Sequence, residues 1–169
     1  MSKKAENVIY EEYESALREL LECYVGSPPI LNDPGLERAE AEMTGVVGLS
    51  DKTISGSVTL STCQETAGRM AETAPMASAD WLGELCNQLA GRLKNKLLAY
   101  DLCPNLSTPA VICGKHLRIN SLARHNYVFR IESELGVIES QLLLDTPDDL
   151  ELTLNPLADA AAEGSLQLF

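Results

Sequence analysis

The chain has 169 residues, of which 45% are hydrophobic, so it is long enough for a single domain with its own core. Its 13 basic and 25 acidic residues give a formal charge of −12 at pH 7, which argues against nucleic acid or an anionic membrane as a partner. There is no apolar run of about eighteen residues and no apolar signal core near the N-terminus, so we expect a soluble, cytoplasmic protein.

The first predicted element is an amphipathic helix over residues 7–24. Apolar residues recur at helical spacing between Ile9 and Tyr24, with charged residues between them. Gly26-Ser27-Pro28-Pro29 predicts the end of this helix, and a loop rich in Pro, Gly and Asn follows to about residue 38.

A hairpin and a short helix are predicted next. Residues 42–49 and 52–60 read as strands joined by a turn at Ser50-Asp51. The run TCQE at residues 62–65 fits a capping box, with Thr62 as the N-cap of a short helix that ends near residue 72. The run TAP at residues 73–75 then separates that helix from the next one.

Residues 80–98 are predicted to form the central helix of the chain. Six apolar residues fall within one arc of roughly 120°, the pattern of a helix that packs on a core. They are Leu82, Leu85, Cys86, Leu89, Leu93 and Leu97.

The opposite side of this helix carries a second pattern. Asp80, Glu84, Asn87 and Gly91 follow one another at spacings of four, three and four residues, so they stack along one line and can touch one partner. Asn is a mediocre helix former and mid-helix Gly costs about 1 kcal/mol relative to Ala. The absence of side chains at Gly83 and Gly91 would let another molecule approach closely. The alternative is a solvated acidic face that tolerates two glycines.

The remaining elements are strands and an acidic tail. Residues 109–113 and 117–122 are short strand candidates joined at Gly114-Lys115, and residues 126–132 and 137–144 are longer strands with a turn at Glu134-Leu135-Gly136. Residues 1–145 are predicted to form one domain of the α+β class, with two longer helices packed on a mainly antiparallel sheet. Residues 146–169 are predicted to be an appended acidic tail, with a helical turn near residues 157–163.

The cysteines and histidines give no catalytic or metal-binding pattern. The five cysteines contain no C-x-x-C pair and their number is odd, which argues against a disulfide framework and favours reduced thiols. His116 and His125 belong to no motif that would pair them with a cysteine or group them into a zinc site.

The central helix carries a resemblance to a known family. Asp80-x-x-x-Glu84-x-x-Asn87 resembles the consensus of the CheC/CheX/FliY family of chemotaxis phosphatases, which is Asp or Ser, three residues, Glu, two residues and Asn. The run AGRL at residues 90–93 resembles the small-residue step after the Asn, and TPAVICG at residues 108–114 resembles the family's Pro-x-Val-x-x-Gly strand and turn. The resemblance covers residues 5–145, is closest to the CheX branch, and implies a CheX-like fold.

The resemblance also implies a function in chemotaxis or another two-component system. The chain would hydrolyse the aspartyl-phosphate of a CheY-like response regulator, with Asn87 positioning the attacking water and Glu84 pairing with the active-site Lys of the partner. Asn suits this task because its amide both accepts and donates without carrying charge. The other candidate partner contacts are Asp80, Gly83, Gly91 and Lys94. The partner would hold the Mg²⁺, so we expect no metal or cofactor in this chain.

The N-terminal helix carries an incomplete second copy of the motif. Ser15-x-x-x-Glu19-x-x-Glu22 keeps the first two positions but has Glu in place of Asn. A carboxylate has no N–H donor and would repel a phosphoryl group, so one active site per chain is predicted. Resemblance to CheX further implies a homodimer whose subunits pair at their sheet edges.

Two other classes of function are open at this point. A non-catalytic scaffold or switch-type module could bind a response regulator without hydrolysing its phosphoryl group. Such a protein could keep the helix and lose the Asn, so the presence of both Glu84 and Asn87 favours the enzyme. A thiol enzyme has only the scattered cysteines in its support.

Overall fold

The computed structural model describes residues 2–26, 30–31, 40–72 and 76–155. The helices in these residues are α1 (Ala5–Val25), α2 (Gln64–Ala71) and α3 (Ser78–Leu98). The strands are β1 (Ser2–Lys4), β2 (Ile30–Leu31), β3 (Ala41–Ser50), β4 (Ser55–Thr62), β5 (Asn105–Leu106), β6 (Ala110–Leu117), β7 (His125–Ser133), β8 (Gly136–Asp145) and β9 (Glu151–Thr153).

Seven of these strands form one antiparallel sheet, so the predicted α+β class is confirmed. The strand order is β2-β7-β8-β4-β3-β5, and β6 pairs with the same side of β3 as β5 does. Strands β1 and β9 form a separate antiparallel pair that brings the two ends of the described chain together. The third helix, α2, is short and contacts both α3 and β8.

The two long helices lie side by side and pack on the sheet. Helix α1 contacts β7 and β8, where the Tyr13 ring lies 5.3 Å from that of Phe129 and the Tyr13 hydroxyl hydrogen-bonds to that of Ser140. Helix α3 contacts β3, β4 and β6. A Cβ atom added at Gly45 of β3 would lie 3.1 Å from the Cys86 Cβ, so the missing side chain allows α3 to approach the sheet closely.

Both predicted hairpins are confirmed, with adjusted turns. The turn between β3 and β4 covers residues 51–54, closed by a 2.8 Å hydrogen bond from the Asp51 N–H to the Ile54 carbonyl, so the second strand begins later than predicted. Between β7 and β8 the turn is Glu134-Leu135, and Gly136 begins β8 with a φ of 134°, a left-handed conformation that favours glycine.

The prediction of two short strands on either side of Gly114-Lys115 is wrong. The chain runs through these residues as the single strand β6, whose Cys113 pairs with Met43 and whose Leu117 pairs with Ala41. Three residues of β6 therefore lie opposite one residue of β3, which makes an irregularity rather than a turn. Strand β3 begins at Ala41, so the residues after Leu117 have no partner on it and residues 118–123 form no strand.

The predicted capping box at the start of α2 is also wrong. The Cys63 sulfur accepts the Thr66 N–H at 3.5 Å and acts as the N-cap. Thr62 still belongs to β4, and its hydroxyl donates to the Val137 carbonyl at 2.7 Å. The run TAP at residues 73–75 lies outside the described residues, as do residues 27–29 after the end of α1 at Val25.

The segment after Asp145 contains a strand that was not predicted. Leu152 in β9 is buried, and the Ala5 N–H donates to the Leu150 carbonyl at 2.9 Å. The Asn155 N–H donates to the Ala99 carbonyl at 2.7 Å, which ties this segment to the end of α3. The helical turn predicted at residues 157–163 lies outside the described residues, and the domain boundary at residue 145 stays a prediction.

Candidate functional site

Helix α3 buries the apolar stripe that the sequence predicts. All six residues of the stripe are at most 1% exposed, and Trp81 and Ala90 are buried beside them. Because 3.6 residues make one turn, burial of this stripe fixes which side of α3 faces solvent.

The solvent side of α3 carries the candidate catalytic residues. Asp80 and Glu84 are exposed, while Asn87 and Gly91 are half-buried. We call these four residues the α3 ridge. Among the described residues, none hydrogen-bonds to the Asn87 side chain, so its amide can bind water or a partner. Glu84 and Asn87 are three residues apart and lie on neighbouring turns of the same helix face.

Glu84 is held by a contact that the sequence analysis missed. The Gln88 Nε2 donates to the Glu84 Oε1 at 3.0 Å, and the Tyr24 hydroxyl donates to the Gln88 Oε1 at 3.2 Å. The i,i+4 spacing of Glu84 and Gln88 is a signal that could have indicated the first of these bonds. Tyr24 comes from the end of α1, so no local pattern could have indicated the second.

The two glycines of α3 have different surroundings. A Cβ atom at Gly91 would meet nothing within 4 Å, so this part of the helix is open to an approaching molecule. Gly83 is buried, and a Cβ atom there would lie 3.0 Å from the Val111 Cγ2 on β6. The prediction that Gly83 opens a surface for a partner is therefore wrong, because the helix packs against its own sheet there. Lys94 is half-buried, one turn beyond Gly91.

In the incomplete motif on α1, the Glu19 side chain is engaged in contacts with α3 and with Ser15. The Lys96 ammonium lies 2.7 Å from the Glu19 carboxylate, Arg92 lies 3.8 Å from it, and the Ser15 hydroxyl donates to it at 3.2 Å. Partial burial alone would raise the pKa of Glu19, but the hydrogen bond and charge of Lys96, with the smaller effects of Ser15 and Arg92, outweigh it and lower the pKa. Glu19 therefore stabilises the α1–α3 contact.

The cysteines do not provide an activated thiol on α3. Cys86 is fully buried, burial raises its pKa to about 12, and its thiol points to the Val58 carbonyl at 3.6 Å. A thiol with a raised pKa is a poor nucleophile at neutral pH. Cys23, Cys103 and Cys113 are exposed, and all five cysteines are free thiols.

The described part of the chain has neither a cluster of metal-ligating side chains nor a helix able to span a membrane. Residues 2–26, 30–31, 40–72 and 76–155 contain no group of three or more His, Cys, Asp or Glu side chains placed to hold a metal ion. In those same ranges, no helix is both long and apolar enough to cross a membrane.

The α+β domain presents Glu84 and Asn87 on the solvent side of α3, where a second protein could contact both side chains. Residues 43–132, which include all of α3, match the family described as chemotaxis phosphatase CheX. The chain belongs to this family. No curated protein matches the chain.

Solved structures share the fold at low sequence identity. A CheC-like superfamily protein from Shewanella sp. PV-4 has a TM-score of 0.70 at 17% identity, covering 81% of this chain and 97% of that one. The chemotaxis protein CheX from Vibrio vulnificus has a TM-score of 0.68 at 16% identity, covering 81% and 96%. A CheX–CheY–BeF₃–Mg²⁺ complex from Borrelia burgdorferi has a TM-score of 0.64 at 19% identity, covering 82% and 96%.

Proposed function

We propose that this chain is a phosphatase that hydrolyses the aspartyl-phosphate of a CheY-like response regulator. The observation that carries the proposal is the pair Glu84 and Asn87, which the fold presents together on the solvent side of α3. Membership of the CheX family supports it. A relative with the same fold has been solved together with CheY, BeF₃ and Mg²⁺, which supports a regulator as the partner.

Asn87 is the proposed catalytic residue. In hydrolysis, the water oxygen bonds to phosphorus as the bond to the aspartyl oxygen breaks, so the water must lie in line on the far side of the phosphorus. The Asn87 amide can accept a hydrogen bond from this water and donate one to it or to a phosphoryl oxygen, without placing a negative charge beside the developing anion. Fixing the water in this position can recover several kcal/mol of the barrier.

Glu84 is the proposed docking residue. Its exposed carboxylate would pair with the active-site Lys of the regulator and so fix the register in which Asn87 enters the site. Asp80 and Lys94 lie farther along α3 in opposite directions and are rim contacts in this proposal, and Gly91 provides the close approach. The net charge of −12 gives no general attraction to an acidic regulator, so local fit along the α3 ridge must supply the affinity.

Mg²⁺ belongs to the regulator in this proposal. The relative's complex contains Mg²⁺ together with CheY, which supports this assignment. The ion would neutralise charge on the phosphoryl oxygens, while this chain supplies the position of the water.

The proposal includes a homodimer in the cytoplasm, with one active site in each chain. Strand β6 lies at an edge of the sheet, and its Ile112 is 49% exposed. Pairing of this edge with a second copy would cover apolar surface and satisfy strand hydrogen bonds. Sedimentation should then give twice the chain mass of 18.3 kDa, and a monomer at micromolar concentration would contradict this part of the proposal.

The experiment that tests the function mixes the purified chain with a ³²P-labelled, phosphorylated response regulator and Mg²⁺. Substoichiometric amounts of the chain should shorten the lifetime of the label and release inorganic phosphate. If the chain binds the regulator and leaves the lifetime of the label unchanged, it is a scaffold or switch-type module rather than an enzyme.

A further inference from the structure

We infer that Gln88 and Tyr24 are positioning residues that hold the Glu84 carboxylate in the orientation used for docking, an inference that rests on the proposed function. The three side chains form a continuous chain of hydrogen bonds from α1 to the α3 ridge. Neither Gln88 nor Tyr24 belongs to the motif that identifies the family resemblance.

The chemistry of the three groups fixes the orientation of the Gln88 amide. A carboxylate only accepts hydrogen bonds, so Gln88 must present its N–H group to Glu84, as the 3.0 Å contact shows. The amide oxygen then points back to α1, where it accepts from the Tyr24 hydroxyl at 3.2 Å. A flipped amide would place its oxygen against the Glu84 carboxylate and lose that bond, while the Tyr24 hydroxyl could still accept from the amide N–H, so the carboxylate decides the orientation.

The Tyr24 ring packs against the buried Trp81 at the start of α3. Its ring meets the Trp81 ring edge-on, with centroids 5.9 Å apart and an interplanar angle of 88°. Trp81 is only 5% exposed. The hydroxyl of Tyr24 is therefore held at a fixed position at the end of α1, although the Tyr24 side chain is 37% exposed.

This arrangement orients Glu84 and keeps its charge available. An exposed Glu loses side-chain conformational entropy when it binds a partner. A hydrogen bond that already orders the side chain in the free protein reduces this entropic cost of binding. Gln88 is neutral, so it does not cancel the negative charge that would attract a Lys. Gln88 contacts only the Oε1 of Glu84. Among the described residues, none hydrogen-bonds to the Oε2, which can accept from the partner.

The test measures the Kd for a CheY-like regulator activated with BeF₃⁻ and Mg²⁺. Gln88→Met keeps the length of the side chain and removes both hydrogen bonds, so it should raise the Kd about fivefold. Tyr24→Phe keeps the ring contact with Trp81 and loses only the hydroxyl, so it should raise the Kd about twofold. Asn7→Ala is the control, because Asn7 is an exposed residue about 25 Å from Tyr24 along α1, and it should leave the Kd unchanged.

A double-mutant cycle separates positioning from general damage to the fold. In a Glu84→Ala background, Gln88→Met should have no further effect on the Kd, because the group that it positions is absent. The kcat of Gln88→Met at saturating regulator should equal that of the wild type. An equal loss of affinity in both backgrounds, an unchanged Kd in Gln88→Met, or a lower kcat at unchanged KM would overturn the inference.

A second measurement keeps the inference testable if the proposed function fails. The side-chain NH₂ resonances of Gln88, observed by NMR in the chain alone, should shift in both Glu84→Ala and Tyr24→Phe. If the wild type binds no regulator but these resonances shift, the docking role is overturned and only the hydrogen-bonded chain stands. If the resonances do not shift, the positioning of Glu84 is overturned whatever the activity.

Discussion

Gly91→Ala is expected to stabilise the fold and to weaken binding of the regulator. Gly91 lies in the middle of α3, where glycine costs about 1 kcal/mol relative to Ala. An added Cβ atom would meet nothing within 4 Å, so no clash offsets this gain. For a domain of this size, about 1 kcal/mol corresponds to a rise in Tm of about 2–4 °C.

The loss of binding follows from the position of Gly91 on the α3 ridge. It lies four residues beyond Asn87, about 6 Å along the helix axis. If the regulator packs closely at this point, an added methyl group costs about 1–3 kcal/mol, as an oversized residue does in a packed core. The Kd should then rise between about fivefold and 150-fold.

Gly83→Ala is the matched control on the same helix. It gives the same gain in helix propensity, but its Cβ atom would lie 3.0 Å from the Val111 Cγ2, and the Val111 side chain must shift to accommodate it. The rise in Tm should therefore be smaller than for Gly91→Ala. Binding should be nearly unchanged, because Gly83 is buried within its own chain.

The assay combines thermal unfolding of each variant with titration of a BeF₃⁻-activated regulator. A lower Tm for Gly91→Ala would refute the description of Gly91 as an open helix position. A higher Tm with an unchanged Kd would refute its placement in the contact with the regulator.

Three further predictions concern stability and thiol chemistry. Cys86, whose pKa burial raises to about 12, should react with a thiol reagent only after unfolding, whereas the three exposed cysteines should react in the native chain. The lowered pKa of Glu19 means that its contribution to stability is present above about pH 4.5 and is lost as the pH falls through its folded value. Glu19→Gln should therefore remove about 0.5 kcal/mol at pH 7 and progressively less in acid, as measured by urea unfolding. Gly136→Ala should destabilise the fold by about 2 kcal/mol or more. Its Cβ atom would collide with the Thr66 hydroxyl, and the φ of 134° at this position is strained for any residue other than glycine.

Each of these predictions has a contradicting result. Rapid modification of Cys86 in the native chain would mean that α3 does not pack on the sheet as described. If the free energy of unfolding lost in Glu19→Gln stayed constant across pH 3–7, the charge of Glu19 in its ion pair with Lys96 would contribute nothing. Glu14→Gln removes an ion pair within α1 and serves as the comparison. A wild-type urea midpoint for Gly136→Ala would contradict the tight turn into β8.

The long elements of the fold could be predicted because their signals are local. The apolar stripe of α3 depends on that helix's own periodicity, and so does the alternation of Tyr127, Phe129 and Ile131 with more polar positions along β7. The irregularity of β6 opposite Glu42 could not be predicted in this way, because it is set by the register between two strands that are distant in sequence. The pairing of β1 with β9 joins the two ends of the described chain and leaves no local pattern either.

In the candidate site too, the features set by local spacing could be predicted and the tertiary contacts could not. The spacing of Glu84 and Asn87 places them on one face of any helix that buries the stripe, so their shared position on the solvent side of α3 follows from the sequence. The environment of Gly83 does not follow, because Val111 comes from a strand whose position only the tertiary structure gives. The anchoring of Gln88 by Tyr24 is a contact between two helices and was hidden for the same reason.

The most direct test of the proposed phosphatase measures hydrolysis and binding for Asn87→Ala with the same phosphorylated regulator. The rate of phosphate release should fall at least about 100-fold, because the water loses the group that positions it, while the Kd for the BeF₃⁻-activated regulator should change less than about twofold. Asn7→Ala, at an exposed position in the first turn of α1, should retain the wild-type rate. Undiminished phosphate release by Asn87→Ala would contradict the account.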